Sequence, residues 1–238
     1  MIVRRQGEAF VLIRQHDHAR ISGLMARHWR NRPEPYPSVV YAIEYHDVGW
    51  QTLDHTIHWN ETADAPYSFE NFPLEPKLVT YREGIDRVEK RDRYAACLCS
   101  MHYASFFVDS DEPQALAFRE RELERQKALM RHFSDEDRSR LKQNLHLLQV
   151  CDNLSLFLCF NQTGENTHPW YRDGVKLGPS HYHPVWESSH VLRLEPNPFD
   201  RSFVAEIPYQ VVGRDRRPLS KGSLRIKIRG EERRGVGT

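Results

Sequence analysis

The sequence has no long apolar run. Its apolar stretches break after a few residues, far short of the roughly 20 that cross a bilayer, so no membrane segment is expected. The opening residues Met1-Ile2-Val3-Arg4-Arg5-Gln6-Gly7-Glu8 contain no apolar signal-peptide core, which points to the cytoplasm. Cysteine is scarce, and Cys97, Cys99, Cys151 and Cys159 form no CxxC pair. A zinc ribbon or thioredoxin-type motif is therefore unsupported, and buried free thiols are expected. There is no GxGxxG, no P-loop and no GxSxG, so neither a nucleotide cradle nor a serine-hydrolase elbow is indicated. An excess of one charge is missing too. Lys plus Arg is 34 and Asp plus Glu is 33; a net charge of +1 gives no reason to expect nucleic acid or a membrane surface as partner.

What is present is an ordinary globular composition, with 28% charged residues in 238 against a usual share of about 25%. A single domain over 1–238 accommodates it. Histidine is abundant: 13 residues, more than the 4 Met and 5 Trp together.

Patterning predicts a hairpin over residues 2–14 and then helices. Ile21, Leu24, Met25 and Trp29 recur at helical spacing behind a capping Asp17. Val39, Val40, Ile43 and Trp50 continue that period after Ser38. Residues 51–80, with Pro66, Pro73, Pro76 and several aromatics, read as a lid loop, with Trp59, Tyr67, Phe69 and Phe72 as candidate pocket walls. Helix resumes over 81–108 with a break near Asp92, then over 112–133, and from a Ser134 cap to about Phe160. The charged block Arg119 to Arg125 reads as a solvated helix face. Strands follow over 190–194, 203–207, 209–212 and 223–228, and residues 230–238 read as a frayed tail. The expected fold class is mainly α: a helical bundle over 15–160, with a small antiparallel β-sheet formed by the C-terminal strands and open to the N-terminal hairpin, a β-rich appendage of 1–14 and 185–230.

The helical faces carry the chemical signal. His18 precedes Ile21 by one turn, and His46-Asp47 follows Ile43. His102 shares a face with Ala95, Leu98 and Cys99, and Asp152 shares one with Leu141, Leu145 and Leu148. Separate helices thus aim ionisable groups at one core. An unpaired buried carboxylate costs several kcal/mol or takes up a proton. A shared metal ion removes that cost, and imidazole with carboxylate suits Mn, Fe, Co, Ni or Zn, with Mg as a further candidate.

These residues resemble a known pattern. His18, His46-Asp47 and Asp152 look like the H…HD…D signature of the HD-domain superfamily of metal-dependent phosphohydrolases, and Tyr45-His46-Asp47-Val48-Gly49-Trp50 is similar to its HD-x-G element. The segments His16 to Gly23, His46 to Trp50, Ser100-Met101-His102-Tyr103 and Asp152 to Leu156 look like a mainly bacterial branch of unknown function, over about residues 2–230. Two departures stand out. Trp50 occupies the place of the Lys in HD-x-G-K, and of the histidines between the HD pair and the last Asp only His102 has the helical setting of a further ligand. His55 and His58 lie too near the pair, and His132 and His146 also fall in the interval.

The resemblance implies an HD-type helical bundle and a hydrolase of a phosphoester or nucleotide-like small molecule. The expected metal ligands are His18, His46, Asp47 and Asp152, holding one or two ions. Asp47 is expected to orient a metal-activated water as nucleophile, and His102 to protonate the leaving oxygen, bind phosphate or hold a second ion. Arg20, Arg82 and Tyr103 are candidate substrate-binding residues. Two other classes compete: an HD-type di-iron oxygenase, and a non-catalytic binding protein that retains the metal site.

Overall fold

The computed structural model describes residues 1–231; of the tail expected to fray, residues 232–238 lie outside the described part. Strands β1 (Ile2–Gln6) and β2 (Ala9–Ile13) pair across a turn in which Gly7 adopts φ +59°, a left-handed conformation that favours glycine. One residue later the chain enters helix α1 (Gln15–Arg27). Asp17 lies in its first turn and is not its cap. Asp54, from a short turn at Leu53–His55, does that work: its buried carboxylate accepts from the Gln15 amide at 2.6 Å.

Helix α2 (Tyr36–Tyr45) begins behind the proline-rich stretch and stops before the His46-Asp47 pair. A tight 3₁₀ turn, Val48–Gln51, follows, and Trp50 belongs to it rather than to α2. Short strands β3 (Trp59–Asn60) and β4 (Ala65–Pro66) punctuate the expected lid. Helix α3 (Leu74–Glu89) starts earlier than proline content suggested, because Pro76 sits in the first turn, where its missing N–H is no loss. Helix α4 (Arg93–Ser105) is capped by Asp92, whose carboxylate accepts from the Ala95 amide at 2.9 Å. Helices α5 (Pro113–Met130) and α6 (Asp135–Phe160) follow; Ser134 caps the latter, accepting from the Asp137 amide at 3.0 Å.

The β part overturns the expected fold class. The chain is 45% helix and 24% strand, and its sheet is a curled, seven-stranded half-barrel, not a small appendage to a bundle. Strands β5 (Val175–Leu177), β6 (Ser180–Ser188), β7 (Val191–Glu195), β8 (Phe203–Gly213) and β9 (Pro218–Ile228) join the N-terminal hairpin in the order β1-β2-β8-β9-β7-β6-β5. The β7–β9 pair is parallel. Pro208, expected to separate two strands, lies inside β8, where only β9 pairs with it, so its missing N–H interrupts no second ladder. Apolar side chains of helices and strands form one continuous core, from Ile2 and Ile13 through Ile43, Leu98 and Leu148 to Ile207 and Ile226.

Candidate metal centre

The buried cluster is assembled from the inner sides of α1, α4 and α6 and from the end of α2. His18 lies one turn into α1, and His102 and Asp152 sit within α4 and α6. His46 and Asp47 are not both on a helix. Neighbours on an α-helix diverge by about 100°. Here His46 is the C-cap of α2, still at φ −54° and ψ −38°, and Asp47, at φ −100° and ψ 19°, turns the chain into the 3₁₀ segment, so both side chains reach the same centre.

The ligand atoms of His18, His46 and Asp152 all lie within 4.8 Å of one another. Asp47 Oδ2 is 2.8 Å from His18 Nε2 and 3.7 Å from His46 Nε2. Asp152 Oδ1 is 3.5 Å from His46 Nε2, and its Oδ2 is 3.7 Å from His102 Nε2. All five residues are buried, between 1% and 7% exposed, Asp152 the most open.

Their outer atoms are held by the chain itself. His46 Nδ1 donates to the Ile43 carbonyl at 2.8 Å, one of the carbonyls left free at a helix end. That fixes the ring and turns Nε2 toward the two carboxylates, and this buried nitrogen has no hydrogen-bond partner among the described residues. Tyr103 donates to Asp47 Oδ1 at 2.6 Å and also contacts the His46 carbonyl at 2.8 Å. On the far side, His18 Nδ1 meets Ser155 Oγ at 2.8 Å, which in turn meets Ser22 Oγ at 2.8 Å. Such contacts orient ligands and raise their basicity at metal sites.

The electrostatics call for positive charge. Burial alone drives the His46 pKa down, but Asp47, Asp152 and the bond to Ile43 outweigh it and raise the value to about 9. Burial drives Asp47 up, but His46, His18 and Tyr103 hold it well below the usual carboxylate range. Asp152 is lowered against burial, chiefly by the adjacent His46 imidazole, with His102 and His18 adding to it. Burial lowers His102 to about 4, against the pull of Asp152. Two anionic carboxylates and an imidazole nitrogen without a partner fit a divalent cation, and a mixed N/O donor set is what Mn, Fe, Co, Ni and Zn accept.

The other expected site residues fall elsewhere. Arg20 is exposed on α1, in a groove with Leu24, Glu44 and Glu206. Arg82 lines a separate groove between α3 and α5 with Phe118 and Arg121. Tyr103 is in the cluster, with its hydroxyl engaged by Asp47 and His46. Trp50 is buried against Phe72 and Tyr81. The expected pocket-wall aromatics pack onto the body of the protein: Trp59 on Phe10, Phe69 on Phe160 and Phe72 on Trp50. Ser22 and Ser155 went unassigned in the sequence. Their signal was a small hydroxyl residue at helical spacing from a ligand, four after His18 and three after Asp152.

No curated protein matches the chain, and neither does any solved structure. The resemblance to the HD-domain superfamily does not stand: the family that matches is a different one, and the curled sheet is not an HD-type helical bundle. A spaced H…HD…D pattern records that such residues exist on helices, and carries no information on a sheet built elsewhere in the chain. A family model described as "Protein of unknown function (DUF3891)" matches residues 1–214, and the chain belongs to that family.

Proposed function

We propose that this chain is a metal-dependent hydrolase of a small phosphoester, nucleotide-like compounds included. The observation that carries the reading is His46 Nε2, a buried nitrogen with no hydrogen-bond partner, set 3.5 Å from Asp152 and 3.7 Å from Asp47. His18, His46, Asp47 and Asp152 would hold the ion. A divalent cation bound there would supply Lewis acidity, polarising a phosphoryl oxygen and acidifying water. Tyr103 fixes the Asp47 carboxylate so that Oδ2 faces the two imidazoles. His102 stays neutral near pH 7 and presents Nε2 beside Asp152, where it can take a proton from the attacking water and pass it on to the leaving oxygen.

One observation favours a second reading, a metal site without turnover: the cluster is almost closed to solvent. One experiment separates the two. Protein loaded in turn with Mn, Fe, Co, Ni, Zn or Mg is assayed on p-nitrophenyl phosphate and nucleoside monophosphates, with Asp47→Ala as control and metal content measured in parallel. Hydrolysis above the control supports the hydrolase. Stoichiometric metal with no hydrolysis above it supports the closed site. Protein that takes up no metal overturns both.

A further inference from the structure

The long hairpin β8–β9 leaves one backbone edge open. Strand β9 pairs with β8 along its length, but with β7 only at Lys227 and Ile228. There the Lys227 amide donates to the His190 carbonyl at 2.8 Å, and the Arg229 amide to Leu192 at 2.8 Å. Backbone groups in a strand alternate between its two edges, and the register with β8 is regular from Ile228 back to Ser220. Lys221, Ser223 and Arg225 therefore turn their N–H and C=O groups to the side that β7 has left. No described strand pairs with them there. Pro208 agrees with this phase: opposite Ser223, its nitrogen faces away from β9, where no ladder bond is lost.

The side chains of this segment are distinctive as well. Residues 218–223 are exposed on both faces of the strand. Lys221, Arg225 and Lys227 share the outward face, and Leu219, at the bulge beyond them, is 60% exposed. Nearby arginines are engaged by acids, Arg214 by Glu8 and Asp64, Arg216 by Glu61 and Arg229 by Glu187. Lys221, Arg225 and Lys227 have no such partner among the described residues. A second copy is a poor match for this edge. Antiparallel pairing about Ser223 would set Lys221 of each copy against Arg225 of the other, and like charges directly opposite are destabilising. Lysine on an edge strand discourages such indiscriminate pairing.

We infer that the Lys221–Arg225 edge of β9 receives an extended acidic segment of another protein, which adds to the sheet as a strand and sets Asp or Glu opposite Lys221 and Arg225. Main-chain bonds supply the affinity in this mode, and alternate side chains supply the choice of partner. The inference is independent of the metal centre.

The probe is a short, end-blocked, fluorescein-labelled peptide of alternating Glu and Thr, titrated against the whole protein by anisotropy. Amide exchange is followed by NMR. Binding is expected to slow exchange at Lys221, Ser223 and Arg225 and to weaken by about tenfold or more in the double variant Lys221→Glu, Arg225→Glu. Ser223→Pro removes an edge-facing N–H and none of the bonds to β8. It is expected to weaken binding while the circular dichroism spectrum stays that of the parent. The same peptide N-methylated at alternate residues keeps its charge and loses its pairing edge, and is expected not to bind. Equal binding of the N-methylated peptide would reduce the contact to charge alone and overturn strand addition. Absence of binding, or of any change in exchange along β9, overturns it as well.

Discussion

His46 sets the proton chemistry of the cluster. With its pKa at about 9 it carries a proton at pH 7, held by the carboxylates of Asp47 and Asp152. A cation bound to Nε2 must displace that proton. Calorimetry of metal binding at pH 7, repeated in buffers of different ionisation enthalpy, is expected to show release of close to one proton from this residue, falling toward none as the pH passes 9. Heats independent of buffer would mean that His46 is not a ligand. Tyr103 acts through Asp47. Tyr103→Phe keeps the ring stacked on Tyr81, at 4.0 Å between centroids, but removes the bonds to Asp47 and His46. Loss of such an orienting contact weakens metal affinity by about 10- to 100-fold. A competition titration against a chromophoric chelator reads the change, and unchanged affinity would leave the hydroxyl without an orienting role.

The turn that carries Asp47 is held by an unusually close approach. A Cβ on Gly49 would lie 2.1 Å from the Thr80 carbonyl oxygen and 3.1 Å from the backbone of Gly84, so the 3₁₀ segment rests directly on α3. Backbone cannot yield as a side-chain tip does, and overpacking costs about 1–3 kcal/mol even where side chains absorb it. Gly49→Ala is expected at the upper end of that range or above, read from the urea midpoint, with weaker metal binding as Asp47 is displaced. Between α3 and α5, Arg125 meets Asp86 and Glu89 at 2.6 Å and the fully buried Glu122 at 3.0 Å. Arg125→Ala strands the Glu122 carboxylate and is expected to cost about 3–5 kcal/mol in chemical denaturation, whereas Glu122→Gln costs far less. The sequence showed Arg119 to Arg125 only as alternating charge, which cannot distinguish a solvated face from a buried acid with its cation. Helix termini were partly legible: Ser134 caps the helix it was expected to cap, and the break expected near Asp92 is where Asp92 caps α4, whereas Asp17 caps nothing. The convergence of His18, His46, Asp47, His102 and Asp152 could be read from apolar spacing on each helix. Strand β6 could not, because Pro184 lies within it and its residues are mostly half-buried or exposed, leaving little alternation.

The metal centre joins helices far apart in the chain, so it bears on the stability of the whole. A ligand that binds only the folded form stabilises it by about 4 kcal/mol at a thousandfold excess over Kd. Chelation is expected to lower Tm; Asp152→Ala is expected to abolish most of that difference and His181→Ala, out on β6, to preserve it. A Tm unmoved in protein shown to have lost its metal would mean that the residues share no ion. The pH dependence has a definite sign. Since the folded pKa of His46 lies above its ordinary 6.5, its stabilising charge is complete below pH 6.5 and is lost as the pH rises through about 9. A bound cation supplies that charge throughout, so the Tm gap between loaded and chelated protein is expected to widen from pH 6.5 to 9. Among the described residues no helix is long and apolar enough to cross a membrane. The sheet order also has a temporal side. Strand β2 finds its second neighbour in β8, with Ala9 opposite Gly213 and Leu12 opposite Gln210. On the ribosome the hairpin made first must wait, one edge unpaired, while every helix is synthesised. Its ladder closes only after residue 213 has cleared the exit tunnel, so a chain that stalls anywhere in the helices leaves that edge exposed to chaperones or to aggregation.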